Sequence, residues 1–409
     1  MTKLGVLFSV LGVGAGCIPA FAQKQLPNII VMLSDDQGWG DLGFTGNTFV
    51  QTPNIDRIAH EGTILENFYV CPVSSPTRAE FLTGRYHVRS GVNSTTGGGE
   101  RFNLGEKTIA EYFREAGYAT SLFGKWHSGT QYPYHPNARG FEEFYGFCSG
   151  HWGNYWNPVL EHNGEIISGE GFIIDDLTDK ALDYIRDHKE HPFFMFLSYN
   201  TPHSPMQVPD SWWNRVKDRT LSQRATFPEQ EDTTFTKAAL ALAENLDWNI
   251  GRVLSLLHSL DLEQETIVIY FSDNGPNSFR WNGGMKGRKG STDEGGVRSP
   301  FCIRWPGHIR KGAVETQLSG AIDLIPTLLG LAGIEYTPLR KLDGIDWGQR
   351  LLDEKAPAMD RVLYSYWGGK TSVRISYYLL DAEGHLYKTD IDREQRKDVS
   401  DKEPEIYER

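Results

Sequence analysis

Four apolar runs in this sequence end in residues that can hold charge or move protons. Asn28–Ser34 (NIIVMLS) leads into Asp35-Asp36, and Thr266–Ser272 (TIVIYFS) into Asp273-Asn274-Gly275. Tyr118–Phe123 (YATSLF) leads into Gly124-Lys125-Trp126-His127, and Phe193–Tyr199 (FFMFLSY) into Asn200-Thr201-Pro202-His203. Asp35, Asp36, Asp273 and Asn274 offer hard oxygen ligands, which suit Ca2+ or Mg2+ rather than Zn2+. Lys125 can balance anionic charge, and His127 and His203 can carry protons. One Asp-Asn-Gly alone is a common turn, and one Asp pair alone is a solvated loop or a helix cap. Four polar clusters after four apolar runs argue for one site. His60, His87, His258 and His308 have no such context and read as structural.

A fifth segment, Ser74-Ser75-Pro76-Thr77-Arg78, reads as a helix start. Ser75 fits the N-cap and Pro76 the first helical position, with Ser74 just outside. Free backbone N–H groups and the positive end of the helix dipole would face an anion there. Arg78, in the first turn, could approach the same point.

The elements that position these residues alternate. Helical patterns at Glu106–Ala116, Asp175–His188, Lys237–Leu260 and Ile322–Leu331 separate the apolar runs. The predicted fold is therefore α/β: a large mixed, mostly parallel sheet flanked by helices. In such sheets ligands bind beyond the carboxyl ends of the strands, where the polar clusters fall. After Arg361 the pattern changes to short strands at Val362–Tyr366, Thr371–Leu380 and His385–Lys388. This predicts a small C-terminal antiparallel sheet. The chain stops on the opening of a helix at Glu403–Arg409, which leaves the completeness of this end open.

Lys3, an apolar stretch and Ala20-Phe21-Ala22 form an export signal at residues 1–22. That leaves a catalytic unit at 23–360 and a subdomain at 361–409, in a periplasmic or secreted protein. Lipid anchoring through Cys17 is the weaker reading, and no other segment reads as a membrane span. Beyond the signal remain Cys71, Cys148 and Cys302, an odd number that forces at least one free thiol. The formal charge of −12 argues against a nucleic-acid partner.

The segment from Ser74 to Gly84 resembles the signature of the type I, formylglycine-dependent sulfatases, C/S-x-P-x-R followed by x(4)-T-G. Pro76, Arg78, Thr83 and Gly84 fall in register with Ser74 and not with Cys71, while Thr77 is a mild departure. Asp35-Asp36-Gln37-Gly38, Gly124-Lys125-Trp126-His127, Thr201-Pro202-His203, Asp273-Asn274-Gly275 and the stretch Gly287–Gly296 resemble the family's other motifs, in order. The resemblance implies the alkaline-phosphatase-like fold. It implies Ca2+, with Mg2+ second, held by Asp35, Asp36, Ser74, Asp273 and Asn274. It also implies that a serine-type maturase oxidises Ser74 to formylglycine (3-oxoalanine), whose hydrated gem-diol attacks sulfur to give a sulfo-enzyme intermediate. Arg78 would hold the diol, Lys125 and Lys289 would stabilise the sulfuryl oxygens, His203 would protonate the leaving oxygen and His127 would collapse the diol. Lys286 and Arg288 read as peripheral.

The expected activity is hydrolysis of sulfate esters, most naturally on a carbohydrate of glycan or glycosaminoglycan type. His151-Trp152-Gly153-Asn154-Tyr155-Trp156 and Ser211-Trp212-Trp213 suit stacking on sugars and core packing equally. Two alternatives stay open. One is a phosphatase or phosphodiesterase of the same superfamily, with two Zn2+ and several His ligands. The other is a non-catalytic glycan-binding relative.

Overall fold

The computed structural model describes residues 1–2 and 26–409. Apart from residues 1–2, the expected export signal lies outside the described residues, as does Cys17. Ten strands form the main sheet, in the spatial order Ala313–Glu315, Thr63–Leu65, Phe301–Arg304, Thr266–Ser272, Asn28–Ser34, Phe193–Ser198, Ala119–Lys125, Glu143–Phe147, Val159–His162 and Glu165–Ser168. The five from Thr266–Ser272 to Glu143–Phe147 run parallel. Phe301–Arg304 and the last two strands add antiparallel pairings towards the edges.

Strand alternation builds two cores. Ile29, Val31 and Leu33 pack on one face beneath the helices Ser74–Thr83, Ile109–Glu115 and Leu324–Ala332. Ile30 and Met32 pack on the other beneath Pro53–Glu61, Ile173–Asp187 and Thr233–Ser259. A strand covered on both faces reads as a continuous apolar run, because every position loses its water. Each large side chain so buried contributes ~1.5–3 kcal/mol of transfer free energy.

All four expected central strands and all four expected helices are present; Asn28–Ser34 and Thr266–Ser272 have the expected bounds, and the others have shifted ends. The helix expected from Glu106 starts at Ile109, because Thr108 caps it and exchanges bonds with Glu111 in a capping box. The strand expected to end at Phe123 continues through Gly124 and Lys125. A Cβ on Gly124 would lie 2.0 Å from the Ser198 carbonyl oxygen, so only glycine lets the two strands run side by side there.

The small C-terminal sheet has four strands, Val362–Trp367, Lys370–Ile375, Tyr378–Leu380 and Leu386–Lys388. The single strand expected over Thr371–Leu380 is split at Ser376, which has φ +53° and turns the chain back. This sheet is anchored through buried Arg374, whose Nε donates to Glu294 (3.0 Å) and whose Nη2 donates to the Thr292 carbonyl (3.0 Å). It is thereby tied to the segment that carries Lys289. Cys71, Cys148 and Cys302 are buried and unbridged. Among the described residues no helix is long and apolar enough to cross a membrane.

Candidate functional site

The helix Ser74–Thr83 begins two residues earlier than expected. Val73 is the N-cap and Ser74 the first helical residue, so Pro76 sits third. Proline is tolerated there because first-turn N–H groups have no partner within the helix. The early start lets Arg78 reach back one turn, and its Nε donates to Ser74 Oγ at 2.9 Å. Both terminal nitrogens of the guanidinium are also engaged. Nη1 donates to the Lys125 carbonyl (2.9 Å) and Ser198 Oγ (2.5 Å), and Nη2 pairs with Asp273 Oδ2 (3.1 Å). Arg78 and Asp273 are both fully buried. Such a pair holds its geometry because losing either partner strands a charge away from water.

His127 approaches Ser74 from the other side, with Nδ1 3.2 Å from Oγ. Its Nε2 lies 2.8 Å from the Thr95 carbonyl oxygen. A carbonyl only accepts, so Nε2 carries the hydrogen and Nδ1 is free to accept one from residue 74. Burial, then the positive charges of Lys125 and Arg78, hold the imidazole well below its usual pKa and keep it neutral, although the Thr95 carbonyl pulls the other way. A Cβ on Gly150 would strike this ring 2.1 Å from Nε2. Asp36 and His127 both adopt left-handed backbone conformations, at φ +63° and +58°. Such strain costs on the order of 1 kcal/mol or more per residue and persists where surrounding structure imposes it.

Asp35 and Asp36 leave their strand beside Asp273 and Asn274. Asp36 N–H donates to Asp273 Oδ1 (3.2 Å) and Asn274 Nδ2 to Asp36 Oδ1 (2.8 Å). Lys125 Nζ lies 2.6 Å from Asp35 Oδ2, and Lys289 Nζ 2.6 Å from Asp36 Oδ1. Burial works against the Lys289 charge, but Asp36 and Asp35 outweigh it and raise its pKa. Burial also dominates at Lys125, where it lowers the pKa despite Asp35. His203 Nδ1 faces the Ser204 carbonyl at 2.6 Å and therefore carries a hydrogen. Its Nε2 points inward, 3.6 Å from Asp36 Oδ2.

Asp35 Oδ1, Asp36 Oδ2 and Asn274 Oδ1 are buried without a hydrogen-bond partner. Three orphaned oxygens converging beside two lysines are what a hard divalent cation would satisfy, so the donor set fits Ca2+ or Mg2+. Only one histidine joins the Asp35–Asp36 cluster. The several His ligands expected of a two-zinc phosphatase are not among the described residues there.

Ser74, Lys125, His127, His203 and Lys289 line one cavity of about 600 Å3. Arg78, Asp35, Asp36, Asp273 and Asn274 lie directly behind it through the bonds above. Lys286 is drawn aside by Asp293 (3.3 Å) and Arg288 by the Asn277 carbonyl (3.2 Å). Cys71 is buried, and burial with Glu80 pushes its thiol well above the usual pKa. Thr77, the departure from the expected pattern, uses its Oγ1 to donate to the Asp273 carbonyl at 2.6 Å.

Of the aromatic clusters, Trp212 and Trp213 pack beside the helix Thr233–Ser259, away from the cavity. Tyr155 is buried and donates to the His203 carbonyl (2.8 Å), which steadies that loop. His151 alone of the clusters lines the cavity. Sequence reasoning missed Thr95, Ser198 and Trp367. Ser198 closes the strand Phe193–Ser198, inside an apolar run that the sequence reading recognised, so a signal was available. Thr95 acts through its carbonyl and Trp367 comes from the separate sheet, so neither carried one.

The sulfatase family profile matches residues 27–334, and that of the N-sulphoglucosamine sulphohydrolase C-terminal region matches 289–397. N-acetylgalactosamine-6-sulfatase of Mus musculus is 32% identical, over 94% of this chain and 76% of its own. The uncharacterized sulfatase YdeN of Escherichia coli is 30% identical, over 85% and 70%. The crystal structure of Ps i-CgsB in complex with k-i-k-neocarrahexaose superposes with a TM-score of 0.83 at 29% identity, over 94% and 90%. A polar site beyond parallel strands, kinship along nearly the whole length and a shared fold lead to one statement: the chain belongs to the sulfatase family of the alkaline-phosphatase-like superfamily and is a sulfuric ester hydrolase.

Proposed function

We propose that this sulfatase is exported and removes sulfate from a carbohydrate, with residue 74 as the nucleophile. The observation that carries the reading is the placement of Ser74 Oγ, 2.9 Å from Arg78 Nε and 3.2 Å from His127 Nδ1. Oxidation of Ser74 to formylglycine by a serine-type maturase would supply a hydrated aldehyde as the attacking oxygen. A Ca2+ ion held by Asp35, Asp36, Asp273, Asn274 and the residue-74 oxygen would polarise the sulfate and orient the nucleophile.

The chain's own residues divide the remaining work. Arg78 orients the oxygen on residue 74. His127 Nδ1, neutral and accepting, takes a proton from it. Lys125 and Lys289 meet the charge on the sulfuryl oxygens, and such preorganised stabilisation is usually the largest catalytic contribution. His203, in its doubly protonated form, gives the Nε2 proton to the leaving sugar oxygen and returns to the neutral ring with its hydrogen on Nδ1. The unit at 23–360 would carry this chemistry, and 361–409 would supply one wall of the cavity through Trp367.

A carbohydrate substrate is supported by the relatives, one named for N-acetylgalactosamine 6-sulfate and one solved with a neocarrahexaose. The test is sulfate release, by ion chromatography, from N-acetylgalactosamine 6-sulfate, sulfated oligosaccharides and nitrophenyl sulfate after co-expression with a serine-type maturase. A mass change at Ser74 should accompany activity. Faster hydrolysis of nitrophenyl phosphate than of any sulfate would overturn the reading.

A further inference from the structure

Lys289 stands on a loop, residues 286–295, that folds back on itself. The Gly295 N–H donates to the Lys286 carbonyl at 2.7 Å and closes the base. At the tip the Lys289 N–H donates to the Pro276 carbonyl (3.0 Å). The Gly290 N–H donates to the carbonyl of Pro72 (2.7 Å), two residues before Ser74. These bonds lay the tip against the start of the nucleophile helix, and Lys289 Nζ ends 2.6 Å from Asp36 Oδ1. A side chain carried on a loop is placed well only when the loop itself is held.

The base of the loop is held from the C-terminal unit. At one end the Lys286 N–H donates to the Arg393 carbonyl at 3.1 Å. Two residues on, the Gln395 amide takes the other end. Its Oε1 accepts from the Glu294 N–H (3.0 Å) and its Nε2 donates to Asp293 Oδ1 (2.8 Å). The N–H needs an acceptor and the carboxylate needs a donor, so only a side chain that does both makes the pair of bonds. Gln395 is buried and has φ +52°, a left-handed conformation that a residue with a side chain keeps where its surroundings impose it. Just before Asp293, the Thr292 carbonyl accepts from Arg374 Nη2 (3.0 Å) and Ser372 Oγ (2.9 Å).

We propose that Gln395 is a positioning residue for sulfate hydrolysis: by gripping Asp293 and Glu294 it sets where Lys289 Nζ sits. The inference rests on the proposed role of Lys289 at the sulfuryl oxygens. Gln395 is not among the residues that line the catalytic cavity, so it acts through the loop and not on the substrate. The small C-terminal sheet and the turn after it thereby serve the reaction, because they fix a charge that the catalytic unit cannot fix alone. A displacement of about 1 Å in a catalytic group costs on the order of 100-fold in rate.

The test is a double-mutant cycle between Gln395→Glu and Lys289→Ala. Gln395→Glu keeps the shape and the acceptor for Glu294, but it loses the donor and sets a carboxylate against Asp293. Gln395→Ala removes the grip without a new charge and serves if the first variant fails to fold. The measurements are kcat and KM on nitrophenyl sulfate and on phenyl sulfate, whose leaving group is poorer, with melting temperature as a control. Either change at 395 should lower kcat/KM about 10- to 100-fold. The factor should be the same on both substrates, because Lys289 serves the sulfuryl group they share. KM should rise as well, whereas a smaller folded fraction would lower kcat and leave KM unchanged. In the Lys289→Ala background the same change should cost less than about threefold. An equal cost in both backgrounds, or unchanged kinetics in both variants at 395, overturns the positioning role alone. Full activity of Lys289→Ala on both substrates overturns the role of Lys289 and the positioning with it.

Discussion

Replacing His203 by alanine should separate substrates by their leaving groups. The Ser204 carbonyl fixes the ring so that Nδ1–H points away and Nε2 faces the cavity. Nε2 is thus the atom that, once the ring is doubly protonated, gives a proton to a departing oxygen. A sugar alkoxide is a poor leaving group, and general acid catalysis then contributes ~10²–10⁴-fold, equal to ~3–5 kcal/mol of barrier. Nitrophenolate needs little help and should lose less than about tenfold. Collapse of the loop is an unsuitable explanation for such a split, because Tyr155 holds residue 203 through its carbonyl, which alanine keeps. The assay is kcat/KM for parent and His203→Ala on a sugar sulfate and on nitrophenyl sulfate, with melting temperature as a control. Equal losses on both substrates would refute the role of general acid. His127→Ala gives the contrast: it should slow kcat on both substrates alike, because Nδ1 serves residue 74 and not the leaving group.

Ser74→Ala should abolish sulfate release, while Cys71→Ala keeps most of it and costs ~1 kcal/mol of stability as a small truncation in a buried site, read by urea melts; full activity in Ser74→Ala would remove residue 74 from the mechanism. Chelation should inactivate the enzyme and lower its melting temperature, with recovery on adding Ca2+ or Mg2+; recovery with Zn2+ alone would favour phosphatase chemistry. Glu80 is buried, and burial outweighs its hydrogen bonds to raise its pKa to about 8, above 4.5 for the ordinary side chain. Between those values the folded state holds a proton the unfolded state has released, so this group's stabilisation, full below pH 4.5, falls by up to ~1.4 kcal/mol per pH unit as pH rises. Glu80→Gln should flatten that slope in denaturant titrations across the same window; an identical slope in the variant would show that Glu80 is not its source.

The C-terminal sheet and the strand edges show where sequence reading loses resolution. Short edge strands such as Val159–His162 and Glu165–Ser168 carry neither a long apolar run nor clean alternation, because one edge lies open to water. The central strands were legible for the opposite reason. Burial on both faces leaves apolar residues at every position of Asn28–Ser34 and Thr266–Ser272. Helix ends shifted where a cap decided them, as at Thr108, or where a first-turn proline was absorbed, as at Pro76.

What the sequence determined by itself was the order of strands and helices, and hence the parallel sheet, together with the residue types delivered to its carboxyl edge. Those follow from local pattern: burial writes itself into hydropathy, and a strand end sets where the next polar residue emerges. Tertiary structure alone decided which atoms face which. The Thr95 carbonyl sets the His127 tautomer, the Ser204 carbonyl sets that of His203, and Arg78 reaches Asp273 across 195 positions of chain. Backbone carbonyls are the same in every residue, and long-range pairings depend on how distant segments pack. No local pattern of side-chain types can therefore encode them, although the hydrogen bonds they make determine which nitrogen of each histidine faces the reacting atoms.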